Sequence, residues 1–71
     1  MQRIGEKLRD LRKKNNLTIK ELSNLIGYNT HSHISEFETG KRTPPLDFLL
    51  KISNLFNVPV DLLVKDELDL E

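Results

Sequence analysis

Five short stretches with apolar residues at helical spacing, separated by asparagine, glycine and proline, constrain the fold of this chain most. Apolar residues that recur every three or four positions predict amphipathic helices, and these lie over about 3–14, 18–26, 30–38, 46–56 and 60–65. No strand is predicted, because valine and threonine are sparse and the longest alternating run contains a proline. The 71 residues allow one small domain. We therefore expect an all-α fold, a compact five-helix bundle.

The ends of these helices carry recognisable capping and stop residues. Thr18 and Glu21 form the capping-box pattern T-I-K-E at the start of helix two, and Thr30 is expected to cap helix three. Asn15 and Asn16 can take the left-handed conformation that ends a helix, and Gly27 is expected to end helix two. The apolar stripes also include Leu25, Leu46, Leu50 and Leu55. The expected core consists of Ile4, Leu8, Leu11, Leu22, Ile26, Tyr28, Ile34, Phe37, Leu49, Ile52 and Phe56.

Composition excludes several classes of protein and site. The chain has no cysteine, which excludes disulfides, thiolate nucleophiles and cysteine-ligated zinc. His31 and His33 are two residues apart on a helix, point in different directions and have no apparent third ligand, so no metal is expected. No apolar run approaches the roughly 20 residues of a membrane span, and the N-terminus is too charged for export. We expect a cytoplasmic protein without cofactor, membrane contact or enzymatic activity.

The formal net charge of zero conceals a gradient along the chain. Residues 1–51 carry ten basic and six acidic side chains, whereas residues 52–71 carry one basic and five acidic side chains. Such asymmetry indicates one side that faces a polyanion and an opposite side that does not. The last residues, 66–71, are expected to form a frayed acidic tail.

Helices two and three have the lengths and the short connection of a helix-turn-helix, in which the second helix enters the major groove of DNA. Generic helical hairpins share this spacing. The ordered segments IGEKLRDLRKKNNLT (4–18), ELSNLIG (21–27), ISEFETGKRTPP (34–45) and LDFLLKISNLFNVPVDLL (46–63) carry a more specific signal. Over about 60 of the 71 residues the chain resembles the Cro/C1-type (XRE family) helix-turn-helix domain of bacterial and phage regulators. The resemblance implies a lambda-repressor-like domain over 1–65, followed by the acidic tail.

The resemblance also implies which residues contact DNA. Outward residues of helix three and the preceding turn would contact bases, namely Asn29, Thr30, His31, Ser32, Ser35 and Glu36. Flanking residues would contact phosphates, namely Lys13, Thr18, Lys20, His33, Lys41 and Arg42, although His33 could instead pack sideways. Glu38 is expected to brace the domain by pairing with a basic residue such as Arg12. Three features depart from the usual pattern: Ile19 replaces a glutamine, the connection over 28–33 is one residue longer, and Glu36 replaces a basic or amide residue.

We therefore expect a sequence-specific double-stranded DNA-binding transcriptional regulator, a repressor by analogy, that reads a palindromic operator as a homodimer. The resemblance places the dimer interface on the last helix and tail, at Val60, Leu63, Leu68 and Leu70. A regulatory partner protein is a further possibility. A restriction-modification controller and the antitoxin of a toxin–antitoxin pair fit the same sequence. A protein-interaction module that has lost DNA binding also remains open, and Ile19 and Glu36 favour it.

Overall fold

A computed structural model describes residues 2–28 and 31–70, and it leaves the side chain of His31 undescribed. Within these residues the chain forms five helices and no strand, as predicted. The helices are α1 (Ile4–Lys14), α2 (Ile19–Ile26), α3 (His31–Thr39), α4 (Leu46–Phe56) and α5 (Val60–Val64). None of them is both long enough and apolar enough to span a membrane. The expected cap of α3, Thr30, lies outside the described residues.

Local signals fix the ends of α1 and α2. The Thr18 hydroxyl accepts from the backbone N–H of Glu21, and the Glu21 carboxylate accepts from that of Thr18, so the predicted capping box forms. Of the two asparagines expected to end α1, Asn16 has a positive φ of 58°, whereas Asn15 has a φ of −99°. Gly27 ends α2 as predicted, with a φ of 68°. The short connection between α1 and α2 therefore follows from local chemistry.

The core lies where α1, α2, α3, α4 and α5 meet, and it differs from the prediction at several positions. Eight of the eleven expected residues are buried, while Ile26, Tyr28 and Phe56 are half-buried and pack against the others. Phe48 and Leu63 were not in the predicted core but are fully buried. The core side chains are Ile4, Leu8, Leu11, Leu22, Ile34, Phe37, Phe48, Leu49, Ile52 and Leu63.

Four leucines of the predicted apolar stripes face solvent instead. Leu46 and Leu50 are one helical turn apart on the outer side of α4, because Phe48 and Ile52, also one turn apart, occupy its inner side. Leu25 on α2 and Leu55 near the end of α4 are exposed as well. None of the four leucines was among the expected core residues, and the structure places all of them on the surface.

The two ends of the described chain are joined by polar contacts. The Asp66 carboxylate accepts hydrogen bonds from the backbone N–H groups of Gln2, at 2.8 and 2.9 Å, and Arg3, at 2.9 Å. Lys7 on α1 is buried, and its ammonium donates to the carbonyl oxygens of Leu62, at 2.5 Å, and Lys65, at 2.8 Å. The buried Lys7 therefore holds the segment just before the tail, and Asp66, expected to be the first residue of a frayed tail, is instead hydrogen-bonded to Gln2 and Arg3.

Candidate nucleic-acid interface

The helix α3 is fixed on its inner side by the core. Ile34 and Phe37, three residues apart, are fully buried, and α3 contacts both α1 and α2. Gly5 lets α1 approach closely, since a Cβ atom there would lie 2.5 Å from the Glu38 carbonyl oxygen and 2.6 Å from that of Phe37. The outer side of α3 is thus held at a defined angle to α1 and α2.

A buried ion pair adds to this fixation. Nε and Nη2 of Arg12 donate to the two carboxylate oxygens of Glu38 at 2.7 and 3.1 Å, and Nη1 donates to the Leu17 carbonyl oxygen at 2.9 Å. The hydrogen bond to Glu38 raises the pKa of Arg12 above its ordinary value, although burial acts against it. The expectation that Glu38 braces the domain through Arg12 is confirmed. One guanidinium thereby joins α1, α3 and the connection before α2.

Polar groups follow one another along the outer side of α3. Ser32, Ser35, Glu36 and Thr39 recur at three- and four-residue intervals, so they share one face of the helix. Ser32 and Thr39 are exposed, and Ser35 and Glu36 are half-buried. Hydroxyl groups can donate and accept, and an ionised carboxylate can only accept, so this face can form hydrogen bonds with base edges.

The other predicted base contacts can be placed only in part. His31 is the first residue of α3. Asn29 and Thr30 lie outside the described residues. The structure therefore brings three of the six predicted residues, Ser32, Ser35 and Glu36, together on one exposed surface.

Glu36 also forms a contact that the sequence did not predict. Nε of Arg42 donates to Oε1 of Glu36 at 2.8 Å, and the side chains are 51% and 37% exposed respectively. This hydrogen bond lowers the pKa of the Glu36 carboxyl below its ordinary value, and the charges of Arg42, His33 and Lys41 act in the same direction. Arg42, predicted as a phosphate contact, is thus held beside the exposed face of α3.

Most of the predicted phosphate contacts lie on the surface. Lys13 and Lys20 are exposed, in the last turn of α1 and the first turn of α2 respectively, and Lys41 is exposed in the turn after α3. Thr18 is exposed as well, although its hydroxyl already accepts the capping hydrogen bond. The ring of His33 is half-buried with its centroid 6.4 Å from that of Phe37, which favours the sideways-packing alternative.

Ile19 explains one departure from the usual pattern. Its side chain is half-buried and packs against the core at the start of α2. A contact to DNA from this position would therefore have to come from the backbone or from neighbouring polar groups.

The residues predicted for a dimer interface divide into two groups. Leu63 is fully buried within the monomer, so its placement at an interface is wrong. Val60, Leu68 and Leu70 are half-buried, and Leu70 packs against the core. Of the four predicted interface residues, these three retain exposed apolar surface for a second chain. Among the side chains that the structure describes, which do not include that of His31, no three histidine or acidic groups lie close enough together to hold a metal ion.

Comparison with known proteins gives consistent results. A family model described as helix-turn-helix matches residues 8–63. The chain is similar to the HTH-type transcriptional regulator ImmR of Bacillus subtilis (strain 168), with 40% identity over 65 residues that cover 90% of this chain and 50% of ImmR. It is also similar to the cryptic phage CTXphi transcriptional repressor RstR of Vibrio cholerae, with 33% identity over 63 residues that cover 89% of this chain and 56% of RstR.

A solved structure has the same fold. The N-terminal DNA binding domain of SinR from Bacillus subtilis superposes with a TM-score of 0.84 at 28% identity, over 94% of this chain and 97% of that domain. The chain spans about half the length of the curated relatives ImmR and RstR. The likeness therefore concerns one domain.

Proposed function

The chain belongs to the Cro/C1-type helix-turn-helix family of DNA-binding transcriptional regulators, and from that premise we propose that it represses transcription by reading a palindromic operator with α3 in the major groove. The observation that carries this proposal is the polar outer face of α3, formed by Ser32, Ser35 and Glu36. The similarity to RstR, a transcriptional repressor by name, supports repression as the sign of regulation.

Base and phosphate contacts have different roles in this proposal. Ser32, Ser35 and Glu36 contact base edges, together with the residues before them, which are Asn29, Thr30 and His31. Lys20 and Lys41 are exposed at either side of the reading helix and contact phosphates, with Lys13, Thr18, His33 and Arg42 as further candidates. Base contacts determine sequence preference, and phosphate contacts determine overall affinity and its dependence on salt.

We further propose that two copies bind together. In each monomer Val60 of α5 and the C-terminal residues Leu68 and Leu70 are only half-buried, so part of their apolar surface is exposed. A twofold dimer through this end would set two α3 helices about one DNA turn, roughly 34 Å, apart. The double substitution of Val60 and Leu68 by serine should convert the dimer to a monomer in sedimentation experiments, whereas Leu25→Ser, which alters an exposed leucine on α2, should not.

Three alternative functions can be distinguished from repression by specific observations. A restriction-modification controller and an antitoxin would use the same DNA-binding surface, and the adjacent gene distinguishes them. A protein-interaction module without DNA binding is favoured by the exposed leucines Leu46 and Leu50 and by the carboxylate of Glu36 beside Arg42. That module would show no salt-dependent affinity for DNA.

The experiment that tests the proposal is selection of bound sequences from random double-stranded DNA, followed by affinity measurement at several salt concentrations. We expect a palindromic site and an affinity that falls steeply as salt rises. Ser35→Ala should relax the preference at one position, and Lys41→Ala should weaken binding to all sequences alike and reduce the salt slope by about 1. Absence of enrichment, with binding unaffected by salt, would contradict the proposal.

A further inference from the structure

The pair between Glu36 and Arg42 leaves hydrogen-bonding groups available on both partners. Within the described residues, the side-chain contact uses only Oε1 of Glu36 and Nε of Arg42. Oε2 of the carboxylate and both Nη groups of the guanidinium therefore remain for other partners. Both side chains are partly exposed, so these groups are accessible from solvent.

The backbone fixes the position of this pair relative to α3. The N–H groups of Lys41 and Arg42 both donate to the carbonyl oxygen of Glu36, at 3.0 and 3.3 Å. Gly40 permits the turn because its φ is 86°. Glu36 thus accepts hydrogen bonds from both the side chain and the backbone of Arg42. These two contacts together hold the side chains of Glu36 and Arg42 next to each other.

Building on the proposed function, we infer that Glu36 and Arg42 recognise DNA as one unit. Oε2 of Glu36 accepts a hydrogen bond from the exocyclic amino group of a cytosine. Oε1 of Glu36 orients Arg42 so that its Nη groups bind an adjacent phosphate. The identity of one base is thereby coupled to a phosphate contact. Arg42 is a positioning residue for Glu36 as well as a phosphate ligand.

The chemistry of the two groups supports this assignment. An ionised carboxylate can only accept hydrogen bonds, and in the major groove the N4 amino group of cytosine is the donor that glutamate reads. A carboxylate alone would be repelled by the phosphates, and the guanidinium at 2.8 Å offsets that charge. Arginine also presents its nitrogens in a planar fork that matches a phosphate, and lysine does not. A glutamate with its ordinary pKa is already ionised at neutral pH, and the lowered pKa of Glu36 acts in the same direction.

The test uses sequence selection and affinity measurement with five proteins: wild type, Glu36→Gln, Arg42→Ala, Arg42→Lys and Lys41→Ala. We expect wild type to select cytosine at one position of each half-site. Glu36→Gln should lose about tenfold in preference for that cytosine and leave other positions unchanged. Arg42→Ala should weaken binding and lose the same preference. Arg42→Lys retains a charge but not the Nε contact, and it should lose the preference while keeping most of the affinity.

Lys41→Ala is the matched control, because it removes a neighbouring cation but leaves the hydrogen bond between Arg42 and Glu36 intact, and it should lower affinity without altering the selected base. Circular dichroism of each variant checks that the fold is retained. An Arg42→Ala variant that weakens all sequences equally and keeps the cytosine preference would overturn the inference, as would selection of adenine at the position that Glu36→Gln alters. Failure of the proposed function has a separate signature, since wild type itself would then enrich no sequence.

Discussion

Two arginine–glutamate pairs in this molecule have nearly equal bond lengths but differ in burial, and we predict that only the buried pair contributes strongly to stability. Nε of Arg12 donates to Glu38 at 2.7 Å, and Nε of Arg42 donates to Glu36 at 2.8 Å. The side chains of Arg12 and Glu38 are 12% and 5% exposed, against 51% and 37% for Arg42 and Glu36. The shortest bond is thus nearly equal in the two pairs, while the pair of Arg12 and Glu38 has less solvent access and a second hydrogen bond, from Nη2 at 3.1 Å.

The expected magnitude follows from what each substitution leaves behind. Glu38→Ala leaves the Arg12 guanidinium with little solvent and with the Leu17 carbonyl as its remaining hydrogen-bond partner. Removing one partner of a buried pair costs about 3–5 kcal/mol, and the bond to Leu17 places this case at the lower end, at about 3 kcal/mol. In a domain of this size that corresponds to a fall in Tm of roughly 12–24 °C. Glu36→Ala leaves Arg42 in water and should not change Tm measurably.

Urea denaturation followed by far-UV circular dichroism measures both effects. Both substitutions place alanine in the same helix, so the change in helix propensity is matched. Arg12→Ala should also be costly, and the double substitution of Arg12 and Glu38 should cost less than the sum of the two single ones, because neither charge is then left unpaired. Equal shifts of the denaturation midpoint in Glu38→Ala and Glu36→Ala would refute the reasoning that burial decides.

Three further perturbations test other contacts. Gly5→Ala should destabilise the domain by about 1–3 kcal/mol in thermal unfolding, because its Cβ would lie 2.5 Å from the Glu38 carbonyl oxygen; a wild-type Tm would contradict the close approach. Lys7→Met keeps the apolar stem but removes two hydrogen bonds to carbonyl oxygens, and urea denaturation should show a loss of about 1–3 kcal/mol. Hydrogen bonds from the backbone N–H groups of Arg3 and Gln2 lower the pKa of Asp66 below its ordinary value of 3.8. The ionised Asp66 therefore stabilises the fold above that pH, and this stabilisation is lost as the pH falls through the lower folded-state pKa. Asp66→Asn should therefore flatten the decline of Tm in acid, and an unchanged pH profile would show that the carboxylate is not engaged.

The sequence predicted best the features that depend on nearby residues. The capping box of Thr18 and Glu21 and the positive φ of Asn16 and Gly27 arise from interactions within one turn of the chain, and these predictions are confirmed. The pair of Arg12 and Glu38 was expected from the family resemblance, since 26 residues separate them.

Long-range packing determined what the sequence missed. Most faces of α4 carry an apolar residue, so periodicity alone could not show that Phe48 is inside while Leu46 and Leu50 are outside. Lys7 reads as a surface charge, but its stem is buried and its ammonium meets carbonyl groups 55 and 58 residues away. In the candidate site, the contact between Glu36 and Arg42 depends on the turn at Gly40. The six-residue spacing of Glu36 and Arg42 alone does not predict that turn or the contact.

The distribution of ion pairs changes how the net charge of zero bears on DNA binding. Three of the four arginines hold carboxylates, since Arg3 contacts Asp69 at 2.9 Å in addition to the pairs of Arg12 and Arg42. Part of the acidic charge near the end of the chain is thereby compensated at the start of α1. Within the described residues five exposed lysines form no ion pair, and four of them, Lys13, Lys14, Lys20 and Lys41, lie before α4, while Lys51 donates to the Ile26 carbonyl oxygen. An ammonium attracts phosphate as a point charge without imposing a geometry, whereas a guanidinium held by a carboxylate has a fixed orientation. In the proposed complex, lysines therefore supply the salt-dependent attraction, and the sequence preference rests on α3 and on Arg42, the exposed arginine that Glu36 orients.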